Sequence, residues 1–454
     1  MSEQQSDSLS STTTEKEGLP SAVTSEASAS PSSAKEEKQE SPYVLPSQTP
    51  AIEGKMGIRF DFNDGARVMV PPLADKDQQW HVRLSDYSMG NILFDAHIPQ
   101  GMASSTKKFF VPFELEVWLQ KKDGTEEKIL DHKLSLKGQR VLVQLPVGTL
   151  GDTLAWLPPV IRFAKENEAH VTCTIADVIL PLVEKANPEI KFVGKDKAAK
   201  IKGFADDFYA TYKLGLFFQD KEFTYQPTDF RHVGLHRTAA YILGINPWDD
   251  SPPALDIPDG DTPPIKEPYV VIATQASTQC KYWNNPAGWH EVVDYLKRSG
   301  FRVVCIDQKM FHGTGYVYNH IPFGVEDETG NRSLGERARW LKHASFFVGL
   351  SSGLSWLAHA AGTPVVMISG FTHPNNEFFT PYRVINWHTC NSCWNDPAHQ
   401  FDHSDFLWCP RHKGTDRQFE CTRLITGKSV INIIEKLMKD KKLISKNGKI
   451  EKQV

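Results

Sequence analysis

The sequence has no long hydrophobic run and almost no excess of charge. Across its 454 residues nothing approaches 18 consecutive apolar positions, which excludes a membrane-spanning helix. The formal net charge is -4, and the first 52 residues carry three Lys against eight Asp and Glu, which leaves 48 basic and 47 acidic residues in the rest. A nearly neutral body lacks the electrostatic footprint of a nucleic-acid-binding protein, so we expect no nucleic-acid partner.

Several targeting and catalytic signals are also missing. The start, MSEQQSDSLSS, has neither the basic nor the apolar region of a secretory signal, so we expect a cytoplasmic protein. The 16 histidines show no HExxH or similar zinc spacing, and no Gly-Lys-Ser/Thr of a P-loop follows a glycine-rich turn. The sequence therefore favours chemistry that does not depend on a catalytic metal.

Cysteine is scarce, and most of it lies in one short stretch. Four of the seven cysteines follow the spacing C-x2-C-x15-C-x11-C, at Cys390, Cys393, Cys409 and Cys421. A two-residue gap lets one pair face a single ion, and the second pair completes a tetrahedral thiolate shell that suits zinc or iron. Two disulfides, or a chance cluster of free thiols, are the alternatives. Because a reducing compartment disfavours disulfides, we predict a four-cysteine metal knuckle.

The hydrophobic patterns divide the chain into five regions. Residues 1–52 are rich in Ser, Thr, Glu and Pro and predict a disordered tail. Short alternating runs in 53–138 predict a small β-sandwich or barrel. Strands alternate with helices in 139–250 and again in 251–388, and a Pro-rich segment separates these two series. We therefore expect an α/β protein with two doubly wound, Rossmann-like lobes and a cleft between them, followed by the knuckle and a C-terminal helix in 389–454.

One strand-to-helix loop of the first lobe carries a carboxylate. In LPVGTLGDTLAW, Gly148 and Gly151 leave the backbone open, and Asp152 stands at the start of the following helix. Ligands of open α/β sheets bind beyond the carboxyl ends of the strands, where this loop lies. Asp152 can be a helix N-cap, a general base facing the cleft, or both.

Two loops of the second lobe are suited to a diphosphate. In LSSGLSWLAHAAG, the residues Ser351, Ser352 and Gly353 open a helix whose free N–H groups can bind an anion, although a Ser-capped core helix has the same pattern. The loop ATQASTQCKYW contains Lys281, which either reaches a phosphate or is an ordinary surface lysine.

These motifs together resemble those of family 9 glycosyltransferases, the heptosyltransferase group, which have the bilobal GT-B architecture. The resemblance covers the Gly-Asp turn and helix of LGDTLAWLPPV, the lysine before an aromatic pair at Lys281, and SSGLSWLAHAAGTPVVMISG. Within that group, Met56 to Lys442 is most similar to the bacterial autotransporter heptosyltransferases, which share the N-terminal β-domain and the cysteine knuckle.

The resemblance implies a function and a set of partners. Members of this family transfer heptose from ADP-heptose to serine hydroxyls of autotransporter adhesins in the bacterial cytoplasm, and they assemble into large homo-oligomers. Their four-cysteine motif holds iron, whereas coordination chemistry alone would favour zinc in a site without a redox role. We therefore expect an inverting O-heptosyltransferase with an iron knuckle. A lipopolysaccharide core heptosyltransferase and a non-catalytic, metal-organised adhesin-binding scaffold are the alternatives.

The resemblance also assigns roles to residues. Asp152 would be the general base, and Lys281 with the helix start at Ser352, Gly353 and Leu354 would hold the ADP diphosphate. Ser277 matches a hydroxyl that contacts the donor, and Asp307 is a weaker candidate for a ribose contact. The lipopolysaccharide enzymes usually carry Asp where this chain has Ser351, so the role of that carboxylate in binding the donor sugar does not carry over to this position.

Overall fold

A computed structural model describes residues 41–146, 149–315 and 317–443. The strands in chain order are β1 (Ile52–Glu53), β2 (Arg59–Asn63), β3 (Arg67–Val70), β4 (Gln79–Asp86), β5 (Asn91–Ile98), β6 (Gly101–Ser104), β7 (Phe113–Gln120), β8 (Glu126–Lys133), β9 (Arg140–Gln144), β10 (His170–Ile175), β11 (Lys191–Gly194), β12 (Ala210–Lys213), β13 (Tyr269–Ala273), β14 (Arg302–Cys305), β15 (Phe311–Thr314), β16 (Val317–His320), β17 (Glu326–Asp327), β18 (Phe347–Leu350), β19 (Val365–Ile368) and β20 (Arg383–Val384).

The helices in chain order are α1 (Leu150–Glu166), α2 (Leu180–Val183), α3 (Lys195–Lys200), α4 (Phe230–Val233), α5 (Leu235–Leu243), α6 (Gly288–Arg298), α7 (Leu334–His343), α8 (Gly353–Ala360), α9 (Glu420–Arg423) and α10 (Gly427–Asp440). The apolar pattern of RHVGLHRTAAYILGI is typical of one helix, but the segment is broken into α4 and α5 at Gly234. This glycine has a φ of 93°, which a helix cannot accommodate, and it approaches the backbone of Asn375 too closely for any side chain.

The first large sheet combines parallel and antiparallel strands. Its order is β11-β10-β9-β12-β2-β3-β6, with β1 paired to β2. The strands from β11 to β2 run parallel, whereas β3 and β6 are added as antiparallel neighbours. The region 53–138 thus contributes strands to the sheet of the first lobe. The first lobe therefore does not begin at residue 139, the boundary expected from the sequence. Pairing of β2 with β12, some 150 residues later, leaves no signal in local sequence patterns.

The remaining N-terminal strands form a separate antiparallel sheet, β5-β4-β7-β8. On β7, residues alternate between buried and half-buried, so one face of this sheet packs inward. Phe113 on that face stacks on Phe62 of the first sheet, with ring centroids 6.1 Å apart. The β-domain predicted from the sequence therefore packs on the first lobe as a second layer.

The second large sheet is parallel throughout, with the order β17-β14-β13-β18-β19-β20. Chain connections leave β13 in opposite directions along the sheet, so the crevice between the ends of β13 and β18 is its topological switch point. Ligands bind at such a point in open α/β sheets. The loops after β13 and β18 contain Lys281 and Ser352, respectively.

The predicted tail is shorter than expected, since the chain contacts the first lobe from Tyr43 onward. The backbone N–H of Val44 donates to Gln144 Oε1 at 2.8 Å, and that of Ser47 donates to Asp206 Oδ1 at 2.7 Å. These bonds fix a polar segment that has no periodic pattern of its own. Residues 1–40, to which the rest of the tail prediction applies, lie outside the described residues.

Candidate active site

A cleft of about 1070 Å³ lies at the carboxyl ends of the strands of both large sheets. Its walls contain every residue that the sequence assigned to catalysis or donor binding. These residues are Asp152, Ser277, Lys281, Ser352, Gly353 and Leu354. The fold thus brings together side chains that lie up to 200 positions apart in the sequence.

Asp152 lies in the first turn of α1 but does not cap it. The N-cap residue is Thr149, and Asp152 is the third residue of the helix, where its carboxylate accepts a short hydrogen bond from the Thr149 hydroxyl. Burial raises the pKa of Asp152, an effect opposed in part by that hydrogen bond and by the nearby charges of Lys281 and His403. A carboxylate with a raised pKa is a stronger base than an exposed one.

The first turns of α1 and α8 approach each other closely at the cleft. A Cβ atom at Gly353 would lie 3.1 Å from Leu150 Cβ and 3.2 Å from the backbone nitrogen of Gly151. A Cβ atom at Gly151 would lie 3.2 Å from Trp356 Cδ1. Two glycines therefore allow the positive ends of two helices to face the same space. Gly148, the other glycine of the α1 loop, lies outside the described residues.

Ser352 is the N-cap residue of α8, yet its side chain caps nothing. Its Oγ is buried and has no hydrogen-bond partner among the described residues, and the N-cap makes no side-chain hydrogen bond. An orphaned hydroxyl at a helix N-terminus is costly unless a ligand satisfies it. The arrangement differs from the Ser-capped core helix and fits an anion site.

Lys281 is held in a cage of three aromatic rings. Its Nζ lies 5.5 Å from the ring centroid of Phe371, 5.7 Å from that of Trp394 and 5.5 Å from that of Phe401. Burial lowers the pKa of Lys281, whereas the nearby charge of Asp152 opposes that shift. Lys281 makes no ion pair with the carboxylates in the described part of the chain. Cation–π contacts thus position an ammonium group that remains available to a ligand.

Three other residues of the predicted set occupy less specific positions. Ser277 is exposed on the β13 loop, and Leu354 is half-buried in the first turn of α8. Asp307 lies in the cleft wall, but its carboxylate accepts hydrogen bonds from the backbone and hydroxyl of Thr274, at 2.7 and 2.9 Å. Burial raises the pKa of Asp307. Its contacts tie the β13 loop to the end of β14.

Sequence reasoning missed a carboxylate, Glu377, in the wall of the cleft. Its side chain is only 2% exposed and accepts short hydrogen bonds from the Ser351 hydroxyl and the Arg383 guanidinium. A third contact, from Thr372 Oγ1, measures 3.3 Å. A carboxylate from the loop after β19 therefore lies beside Ser351 in the cleft wall. Its place beyond the end of β19 was the available sequence signal.

The four predicted metal ligands lie in one irregular segment behind the lysine cage. Cys393, Cys409 and Cys421 are buried, and Cys390 is half-buried. Burial raises the pKa of Cys421, and the nearby thiols of the other three cysteines raise it further. The four thiols therefore lie near one another, but among the described residues no three of their sulfur atoms are gathered within the 4.8 Å expected of ligands to one ion.

A second donor set overlaps the knuckle. The ligand atoms of Cys390, His412 and Glu420 lie within 4.8 Å of one another. Glu420 is buried and also accepts the backbone N–H of Cys390 at 3.1 Å. His412 is half-buried, with a 17% exposed side chain.

None of the helices in the described ranges is long and apolar enough to cross a membrane.

Comparison with known proteins gives consistent matches. Residues 54–121 match the N-terminal domain of glycosyltransferase TibC, and residues 248–405 match glycosyltransferase family 9, the heptosyltransferases. The chain is 49% identical over 395 residues to autotransporter heptosyltransferase BAHTCr of Citrobacter rodentium, which covers 87% of this chain and 92% of that protein. It is 40% identical over 397 residues to an inactive autotransporter heptosyltransferase, BimC, of Burkholderia thailandensis, with coverage of 87% and 89%.

A solved structure is also similar over most of the chain. It is the crystal structure of dodecameric, iron-containing heptosyltransferase TibC in complex with ADP-D-β-D-heptose. That structure has a TM-score of 0.80 and 48% sequence identity, and the match covers 88% of this chain and all of that one.

Proposed function

Because the chain belongs to the autotransporter heptosyltransferases, we propose that it transfers heptose from ADP-heptose to serine hydroxyls of an autotransporter adhesin. The observation that carries this proposal is the convergence of Asp152, Lys281 and the unsatisfied Ser352 hydroxyl on one cleft. These are a base, a cation and an anion-binding helix start, the three parts that sugar transfer from a diphosphate requires. A nucleotide-sugar donor places the reaction in the bacterial cytoplasm.

The second lobe of a GT-B pair would hold the donor. The diphosphate lies at the N-terminus of α8, where Ser352 Oγ and the free N–H groups at Gly353 and Leu354 donate hydrogen bonds. Lys281 neutralises the charge that builds on ADP as the glycosidic bond breaks. Ser277, on the exposed edge of the β13 loop, contacts the nucleoside side of the donor. No metal ion is needed to bind the phosphates in this arrangement.

Asp152 would act from the first lobe as the general base. A serine hydroxyl is a weak nucleophile at neutral pH, and its proton passes to the Asp152 carboxylate as its oxygen attacks the anomeric carbon. The diphosphate leaves from the opposite face of the sugar, so the anomeric configuration inverts. The Thr149 hydroxyl orients the carboxylate before the acceptor arrives.

The pair Ser351 and Glu377 would bind the sugar. The Ser351 hydroxyl donates its proton to the buried Glu377 carboxylate, and the oxygens of the two groups provide acceptors for heptose hydroxyl groups. The Arg383 guanidinium, which pairs with the carboxylate, holds it in place. In this proposal Glu377 replaces the aspartate of the lipopolysaccharide enzymes at the position of Ser351.

The knuckle would hold one iron ion through Cys390, Cys393, Cys409 and Cys421. A bound ion would cross-link segments of irregular chain that few other contacts hold together. Its role would be structural rather than catalytic. The loops between the cysteines supply Trp394 and Phe401 to the cage around Lys281. Assembly into a large homo-oligomer is part of the same proposal, supported by the dodecameric relative.

A non-catalytic role is the second candidate, and the inactive relative at 40% identity is the observation that favours it. In that case the cleft would bind an adhesin or a nucleotide without transfer. The complete set of Asp152, Lys281 and Ser352 at the cleft supports an active enzyme. A lipopolysaccharide acceptor is less favoured, since the match to the N-terminal domain of TibC spans residues 54–121.

The test is a transfer reaction with the purified full-length chain, ADP-heptose and an adhesin passenger fragment. We expect tandem mass spectrometry to find serines that gain the mass of one heptosyl group, and NMR to show the anomeric configuration opposite to that of the donor. A parallel reaction uses lipopolysaccharide core acceptor. Binding of the passenger without any mass gain supports the scaffold, and transfer only to the core acceptor contradicts the protein substrate.

A further inference from the structure

Two imidazoles and a carboxylate meet on the outer face of the four-stranded sheet. His81 on β4 lies directly opposite His97 on β5, and their rings stack with centroids 4.5 Å apart. Glu126 begins β8, at the other edge of the sheet. Its Oε1 lies 3.0 Å from His81 Nδ1 and 3.4 Å from His97 Nε2. The three ligand atoms are all within 4.8 Å of one another.

His97 Nε2 and Glu126 Oε1 are within hydrogen-bond distance at 3.4 Å, and the three ligand atoms are also close enough to share one cation. Around tetrahedral zinc, with bonds of about 2.0–2.2 Å, neighbouring nitrogen and oxygen ligands lie roughly 3.3 Å apart. His81 Nδ1 is buried and has no hydrogen-bond partner among the described residues, although Glu126 Oε1 is 3.0 Å away. The contact lacks the geometry of an N–H donor pointing at its acceptor.

The surroundings of His81 are those of a metal ligand. Its other nitrogen, Nε2, lies 2.5 Å from Asp95 Oδ1, and Asp95 is in turn held by Arg83 at 3.0 Å. A ligating histidine usually donates its second ring N–H to a carboxylate, which fixes its tautomer and its orientation. The Trp118 ring stacks on His81 at 4.7 Å and keeps the imidazole from rotating away.

We propose that His81, His97 and Glu126 form a second metal site, separate from the cysteine knuckle, for a divalent first-row transition metal ion such as zinc. Two imidazoles and one carboxylate are ligands that suit these ions, and water completes the shell on the exposed side. The ion connects β5 and β8, the two edges of the sheet, through the central strand β4. Its expected effect is to stabilise the β-domain rather than to take part in sugar transfer.

The experiment uses the full-length protein with its knuckle already loaded with metal. Zinc is added and the excess is removed by dialysis. The content of iron and zinc per chain is then measured by elemental mass spectrometry. We expect about one zinc per chain to be gained without loss of iron, and His97→Ala to lose that zinc. His97 is 40% exposed at its side chain, so its replacement leaves the fold intact. His290→Ala, at an exposed histidine of α6, is the matched control and retains the zinc.

X-ray absorption of the added zinc separates the two sites. We expect nitrogen and oxygen neighbours at ~2.0–2.1 Å, whereas zinc in the knuckle would show sulfur at ~2.3 Å. Added zinc should also raise the unfolding temperature of the wild type more than that of His97→Ala or Glu126→Gln. Equal zinc content in the wild type and in both variants, or a shell made of sulfur, would overturn the proposal.

Discussion

The proposed reaction depends most on one carboxylate, Asp152, whose pKa is raised by burial. We expect Asp152→Asn to lower kcat by roughly 10²- to 10⁴-fold, since the amide keeps the shape of the side chain but cannot accept a proton. The affinity for ADP, measured by titration calorimetry, should stay near that of the wild type. Thr149→Ala is a useful companion, because it removes only the hydroxyl that orients the carboxylate and should cost less. Turnover near the wild-type level in Asp152→Asn would refute the role of general base.

The dependence of the rate on pH follows from the contacts of the same residue. A base is active only when deprotonated, so kcat/KM should fall as the pH drops through the pKa of Asp152, which burial raises above the usual range. Lys281→Met removes a cation that lowers this pKa, and the acidic limb should therefore move to higher pH. The same change should weaken ADP binding by roughly 10- to 150-fold, the effect of losing a hydrogen bond to a charged group. If the acidic limb of the pH profile does not move in Lys281→Met, the charge of Lys281 does not influence the pKa of Asp152.

Glu377 is the residue that best distinguishes recognition of the sugar from recognition of the nucleotide. We expect Glu377→Gln to weaken ADP-heptose binding while ADP binding changes little, because the sugar alone contacts the Ser351–Glu377 pair. Glu326→Gln, at a half-exposed carboxylate that also pairs with an arginine, is the matched control and should change neither affinity. Equal loss of both affinities in Glu377→Gln would indicate that the Arg383 ion pair has only a structural role.

At the scale of the elements, the loops of the knuckle supply two aromatic rings of the cage around Lys281, although they lie far from Lys281 in the sequence. Trp394→Leu opens one wall of the lysine cage, and we expect a loss of ADP affinity of roughly 2- to 30-fold, in line with a cation–π contact of about 0.5–2 kcal/mol. Trp394→Phe keeps a ring at this position and should restore most of the affinity. Trp289→Leu, at a tryptophan that packs on Trp283, controls for the general effect of losing an indole. Equal behaviour of Trp394→Leu and Trp394→Phe would argue against the cage.

Elements whose signals are local could be predicted from the sequence. Ser333 with Glu336 three residues later is the pattern of a helix start, and the two residues form a capping box at α7. Asp64 and Gly65 are typical turn residues, and they join β2 and β3. Strands formed by remote pairing could not be predicted in this way. Strand β12 is short and lies in a segment without a clear hydrophobic pattern. It pairs with both β9 and β2 and thus joins the N-terminal strands to the first lobe.

The candidate site shows the same division between local and remote information. Asp152, Lys281 and Ser352 follow strands or open helices, so their place at the cleft could be expected from the order of the elements. The aromatic cage and Glu377 could not, because their contacts join loops that only the tertiary fold brings together. No pattern in the sequence places Phe401 beside Lys281, which precedes it by 120 residues.

At the scale of the whole molecule, the proposed function connects metal binding by the knuckle to the candidate active site. Its loops bond to the second lobe through the backbone, with Trp394 N donating to Phe371 O at 3.1 Å and Gln279 N donating to Phe406 O at 2.9 Å. Gln279 is two residues before Lys281, and Phe371 is a wall of its cage. Loss of the metal should therefore reach the donor site through these contacts, without any direct role for the ion in the reaction.

The double variant Cys390→Ser, Cys393→Ser tests this connection. We expect elemental analysis of anaerobically purified protein to show the loss of the knuckle metal, with a lower unfolding temperature and weaker ADP binding, because the cage around Lys281 loses its support. Light scattering should report whether the homo-oligomer dissociates at the same time. Cys173→Ala, at a buried thiol of β10 in the first lobe, is the control and should keep both the metal and the donor affinity. A metal-free protein that retains full ADP affinity and full turnover would contradict a structural role for the knuckle, since the cage would then form without it.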